Sequence, residues 1–128
     1  MQYINKFRWY INENQGWQQV IRLQTNEIPE LEKILTTVVY DDTFSKEVMQ
    51  SGKDHFEKQL EMKRKEMDLL NEDLDEQQKR LAIDCESEIN NDIDTFCTQD
   101  ILRQRIRDIE KTYVELKCNF MTYLSTIL

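Results

Sequence analysis

Residues 102–127 read LRQRIRDIEKTYVELKCNFMTYLSTI. Stepping alternately by four and three from the first of these gives Leu102, Ile106, Ile109, Tyr113, Leu116, Phe120, Tyr123 and Ile127, every one apolar or aromatic. That is the heptad spacing of a helix with a single apolar seam. The same steps from Phe56 give Leu60, Lys63, Met67, Leu70, Leu74, Gln77 and Leu81, so six of the eight are apolar. Two such seams in succession predict two long helices packed along their length, each roughly 50 Å at 1.5 Å per residue.

The expected fold class is therefore all-α: a long antiparallel coiled-coil-like helical hairpin with one or two N-terminal helices packed on it, a three- or four-helix bundle. In an antiparallel pair, facing residues share a constant index sum. Pairing Leu81 with Leu102, Leu74 with Ile109, Met67 with Leu116 and Phe56 with Ile127 gives 183 throughout. This places the turn at 90–93, in Asn90-Asn91-Asp92, whose side chains compete for backbone hydrogen bonds and end helices. The heptad alone also permits registers one repeat away, one with its turn near Thr95. At 183, Lys63 faces Phe120 and Gln77 faces Ile106, and both polar side chains are expected to snorkel to the solvent edge of the seam. The alternative is that they cost stability and fix the register.

The N-terminal third is harder to read. Trp17, Ile21, Ile28, Leu31, Leu35 and Val38 also fall on four-and-three steps, with Gln24 in the gap. Pro29 opposes a continuous helix, because an interior proline removes a hydrogen bond and crowds the preceding turn. Asn26 as an N-cap would put Pro29 in a first turn, where it is tolerated. The expected division is one helical-bundle domain, 1–128. It comprises an aromatic-rich segment 1–25 with a short helix near 3–12, a helix 26–40 after a break or kink, and long helices 43–90 and 94–128. A strand hairpin about Asn14-Gln15-Gly16 is the alternative for 1–25, and Gly52 is a candidate early interruption of the third segment.

Composition limits what such a bundle can do. The chain has 128 residues, 39% hydrophobic and 33% charged, with two glycines and one proline. So few turn residues argue against a sandwich or barrel. The net charge is −8, and Asp41–Asp92 holds sixteen Asp and Glu against eight Lys and Arg. Such a surface repels nucleic-acid phosphates and anionic membranes, so neither is an expected partner. No run approaches the length of a membrane span, and MQYINKFRWYINEN lacks the apolar core of a signal peptide. Cys85, Cys97 and Cys118 are an odd number without CxxC spacing, which fits a reducing cytoplasm. They are expected to be small buried apolar residues, although Cys85 and Cys97 would lie across the hairpin, where an oxidative bridge is conceivable.

No catalytic, cofactor-binding or metal-binding residue is expected. His55 is the only histidine and sits in no catalytic motif. Glu-x-x-His, which di-iron bundles require, is absent, because position 52 is Gly52. Three cysteines and His55 cannot converge on one zinc ion in this register, and two glycines cannot build a phosphate loop.

The candidate contact residues are apolar side chains with no assigned place in the seams. Tyr3, Phe7, Trp9, Tyr10 and Trp17 crowd the first seventeen residues and suit a core or a protein interface. Met62, Leu69 and Ile83 flank the first long helix, and Val114, Met121 and Leu128 flank the second on the opposite side. Helix 26–40 is expected to cover one flank, with the N-terminal aromatics or a second copy of the chain on the other. The expected function is non-enzymatic, a scaffold or assembly subunit that acts by protein–protein contact and is a candidate homodimer. The alternatives are a small acidic holding or export chaperone and, with least support, a metal-binding bundle.

Overall fold

The computed structural model describes residues 2–39, 46–86 and 93–127, with side chains described from residue 6 to 37, 50 to 84 and 93 to 127. All three stretches are helical: α1 (Gln2–Val39), α2 (Lys46–Glu86) and α3 (Ile93–Ile127). No strand occurs among the described residues. The three helices pack on one another, and the residues buried between them are largely those on the four-and-three steps.

The α1 helix corrects the expected break. It is continuous from Gln2 through Gly16 and Pro29 to Val39, so there is no separate short helix, no strand hairpin and no helix start at Asn26. The reason lies in its buried face. Phe7, Tyr10, Asn14, Ile21, Ile28, Leu31 and Leu35 are buried, with half-buried Trp17 and Gln24 filling the remaining steps. This one stripe runs unbroken past Pro29. Its burial outweighs the cost of a proline, about 3 kcal/mol, since each Ile or Leu contributes roughly 1.5–3 kcal/mol. Pro29 itself is exposed, so the carbonyl it leaves without a donor can take water.

The α2–α3 pairing corrects the register. Phe56 meets Phe120 with ring centroids 5.4 Å apart, and Gln77 Nε2 donates to Gln99 Oε1 at 3.2 Å. Both pairs add to 176, seven short of the expected 183. Lys63 accordingly reaches Thr112 at 2.6 Å rather than facing Phe120, and Gln77 meets Gln99 rather than Ile106. Nor do these two residues snorkel: Lys63 is 8% exposed and Gln77 2%. At 183 each would have been pressed against an apolar partner. At 176 Gln77 finds the amide of Gln99 and the carbonyl of Thr95 (3.0 Å), and Lys63 finds Thr112 and Glu66 (3.0 Å). A buried polar group without a partner costs about 1–3 kcal/mol, which is enough to choose between registers of equal heptad phase. The expected turn residues 90–92 lie outside the described residues.

The α1 helix lies along one side of the α2–α3 pair. Its contacts with α2 run from the Ile11 carbonyl with Gln78, through Gln18 with Asp75 and Thr25 with Met67, to Glu32 with Arg64. Its contacts with α3 run from Phe7 with Phe96, through Glu13 with Arg103, to Glu27 with Lys117. Neither flank expected to need a cover receives one. Met62, Leu69, Ile83, Val114 and Met121 all stay exposed, because α1 buries its apolar stripe against the seam residues of α2 and α3 instead. Leu128 lies outside the described residues.

Candidate interaction surface

At one end of the bundle the aromatic cluster forms a small core of its own. Phe7 stacks on Phe96 at 5.5 Å with an interplanar angle of 11°, Tyr10 meets Phe96 edge-on at 6.0 Å, and Leu81 closes the group. Phe7 and Tyr10 are buried, which corrects their assignment as partner contacts: they hold α1 to α3 and present no surface. Trp9 is exposed and Trp17 half-buried, and the Arg103 guanidinium lies 5.9 Å from each ring. Arg103 also donates to both carboxylate oxygens of Glu13, at 2.9 and 2.7 Å, which holds its ionised form firmly. Tyr3 lies on α1, with its side chain outside those described.

Inside Arg103 lies a buried polar layer. Gln99 donates to Asn14 and to Glu13, both at 2.8 Å, while accepting from Gln77. Asn14, Gln77, Gln99 and Thr95 are all buried. The sequence carried this signal: stepping back from Leu102 by three and then four gives Gln99 and Thr95, a polar continuation of the α3 seam that matches Gln77.

A second polar knot joins α1 to α3 farther along. The Tyr113 hydroxyl donates to Glu27, and Lys117 Nζ donates to the same carboxylate at 3.2 Å. The Tyr113 hydrogen bond, with Lys117 beside it, holds Glu27 below its ordinary value despite partial burial. Burial, then Glu27, pushes the Tyr113 phenol above its own. The carboxylate is thus fixed ionised and the phenol fixed protonated, the reverse of groups poised near neutrality for proton transfer. The trio ties helices together.

No group of three or more His, Cys, Asp and Glu among the described residues could hold a metal ion. His55 is exposed, edge-on to Phe56 at 5.0 Å. Cys97 and Cys118 are free and exposed, which corrects the expectation of buried thiols, and Cys85 lies outside the described side chains. No described helix is long and apolar enough to cross a membrane. A cleft of about 340 Å³ between α1 and α2 is lined mainly by polar groups, with Gln18 hydrogen-bonded to Asp75 at 2.6 Å across it.

The open α2–α3 face differs. Two adjoining clefts of about 230 and 220 Å³ run along it, sharing Arg105. Leu69 lines one and Ile101 the other, each 59% exposed, and no α1 residue lines either. The sequence reading placed Leu69 and Met62 here but missed Ile101, which falls next to the seam residue Leu102. No family model, curated protein sequence or solved structure matches the chain.

Proposed function

We propose that this chain works by protein–protein contact, as a non-enzymatic scaffold or assembly subunit. In this reading α2 and α3 form an antiparallel coiled-coil-like hairpin, and α1 braces one side of it. The observation that carries the proposal is the open α2–α3 face, where Leu69 stands exposed over a mainly apolar cleft and Ile101 stands exposed over an adjoining, more polar one, while the seam residues of the three helices are buried against one another. Burying such side chains against a partner is worth roughly 1.5–3 kcal/mol each, a driving force the chain alone leaves unused. Helix faces of this kind serve helix-in-groove recognition. Exposed free thiols at Cys97 and Cys118 support a reducing compartment, and the proposal places the chain in the cytoplasm.

A holding chaperone is the second reading, favoured by the same exposed apolar side chains on a chain of net charge −8. It differs in binding unfolded clients and not folded ones.

The test uses a photoreactive side chain placed singly at Trp9, Leu69 and Met121 in cells that make the protein. A discrete protein adduct is expected from at least one site. No adduct from any of the three, together with a monomer by sedimentation, overturns the contact reading.

A further inference from the structure

We propose that the open α2–α3 face is the seat for one cationic amphipathic helix from a partner protein, which completes a four-helix arrangement. This rests on the protein-contact reading above and names the partner's chemistry.

The first ground is periodicity. Met62, Leu69 and Ile83 occupy the same heptad position of α2, with Glu76 breaking the series. In the register set by Gln77–Gln99 and Phe56–Phe120, Ile101 of α3 stands level with position 75, beside that gap. It lines its cleft together with Glu76. The two helices therefore share one exposed aliphatic stripe at levels 62, 69, 75 and 83, one side chain every two turns. A surface repeating at two-turn intervals over roughly 32 Å matches another helix with an apolar residue at every seventh position. A loop, an extended strand or a small molecule has no such period.

The second ground is charge. The two clefts are lined by four carboxylates, Glu66, Asp73, Glu76 and Asp108, against two guanidinium groups, Arg80 and Arg105. Arg105 and Asp73 pair with each other at 2.6 Å and Glu66 pairs with Lys63 at 3.0 Å, which leaves Glu76 of α2 and Asp108 of α3 against Arg80. A partner helix with Lys or Arg beside its apolar stripe meets complementary charge along both edges. A second copy of this chain would instead set acidic rim against acidic rim, with −8 on each copy.

The probe is a synthetic helical peptide of about 22 residues, with leucine at every seventh position and lysine flanking it. Its controls are a scrambled peptide of identical charge and a glutamate-flanked version. Binding to the full chain is read by fluorescence anisotropy, with sedimentation of the chain alone as the oligomer measurement. One lysine peptide is expected to bind per chain, more weakly as salt rises. Leu69→Ser with Ile101→Ser should raise Kd by about tenfold or more, while Val114→Ser with Met121→Ser leaves it unchanged. These sites are all exposed, and circular dichroism of each variant verifies the fold. Equal binding of the scrambled or glutamate peptide, no binding, or indifference to the Leu69 and Ile101 changes overturns the proposal. So does a dimer of the chain alone that L69S/I101S dissolves. Adducts at Trp9 or Met121 without peptide binding at this face would sink this inference and leave the contact reading standing.

Discussion

Gln77 of α2 and Gln99 of α3 meet side chain to side chain at 3.2 Å in a buried layer, and Gln99 passes the connection on to Asn14 of α1 at 2.8 Å. One amide chain thus links all three helices. Gln77→Leu strands the Gln99 amide oxygen, and should lower unfolding free energy by about 1–3 kcal/mol in urea titration. Q77L with Gln99→Leu should recover part of that loss but free the register. With the native cysteines replaced by serine, oxidative cross-linking of L70C to I106C should succeed in the parent. L70C to Y113C, one heptad away, should form only in the double-leucine chain. Equal cross-linking of both pairs in the parent would show that the layer does not set the register.

The heptad alone could not supply that register. Phase is legible from Leu, Ile and Phe spacing, and it matches the buried seams of α2 and α3 except near the end of α3, where Leu124 is buried and Tyr123 only half-buried. A seven-residue slide preserves phase and exchanges one apolar match for another, so only the polar exceptions distinguish the alternatives. The turn chemistry of Asn90-Asn91-Asp92 favours 183, while Gln99, the residue that makes Gln77 informative, lies outside the stretch Leu102–Ile127 used for matching. The α1 helix was misread for a related reason. Pro29 carries a known local cost, whereas the compensating stripe from Phe7 to Leu35 is spread over 29 residues, with Asn14 and Gln24 disguising it. The heptad places Met62 and Leu69 outside the seam, but the cover expected over their flank is not there. The part Ile101 plays beside them depends on the register and was not legible until that was known.

Pro29 supplies the second prediction. It sits on the exposed side of a continuous α1, so its ring fills no core space. Pro29→Ala restores a backbone donor and relieves the preceding turn, a gain of up to about 3 kcal/mol. Against this stands a looser unfolded chain, worth about 0.4–1 kcal/mol. The net should be a stabilisation of about 1–2 kcal/mol, read as a rise in the urea midpoint at unchanged slope. A loss of stability would mean that Pro29 ends or bends the helix to the bundle's advantage.

The Glu27–Tyr113–Lys117 knot sets a pH dependence at both extremes. Glu27 is held below its ordinary value of 4.5, chiefly by the Tyr113 hydroxyl, so its contribution is present above that value and is lost as pH falls through the depressed one. Tyr113 is held above its ordinary value of 10.0, chiefly by burial, so its contribution is present below pH 10 and is lost as pH rises beyond it. Glu27→Gln should flatten the acid limb of a stability–pH curve. Tyr113→Phe should flatten the alkaline limb and cost about 1 kcal/mol at neutral pH. Thermal melts from pH 3 to 11 provide the comparison, and unchanged limbs in both variants would relieve the trio of this role.

Gly52 yields the last prediction. It lies inside α2, where glycine is about 1 kcal/mol worse than alanine, yet the helix runs through it. The cause is Tyr123 of α3, whose ring lies over the glycine backbone where a methyl group would stand. That ring is half-buried and packs against Phe56 with centroids 5.1 Å apart, so it has little freedom to withdraw. Gly52→Ala should therefore destabilise by about 1–3 kcal/mol despite its better helix propensity, as overpacking does in a filled core. In a Tyr123→Leu background the obstruction is shorter, and the same change should turn favourable by about 1 kcal/mol. The sign reversal between the two backgrounds, measured as a double-mutant cycle in urea, is the decisive quantity. If G52A stabilises both chains alike, Tyr123 does not pack against Gly52 in solution, and the pairing of α2 with α3 at that end needs redrawing.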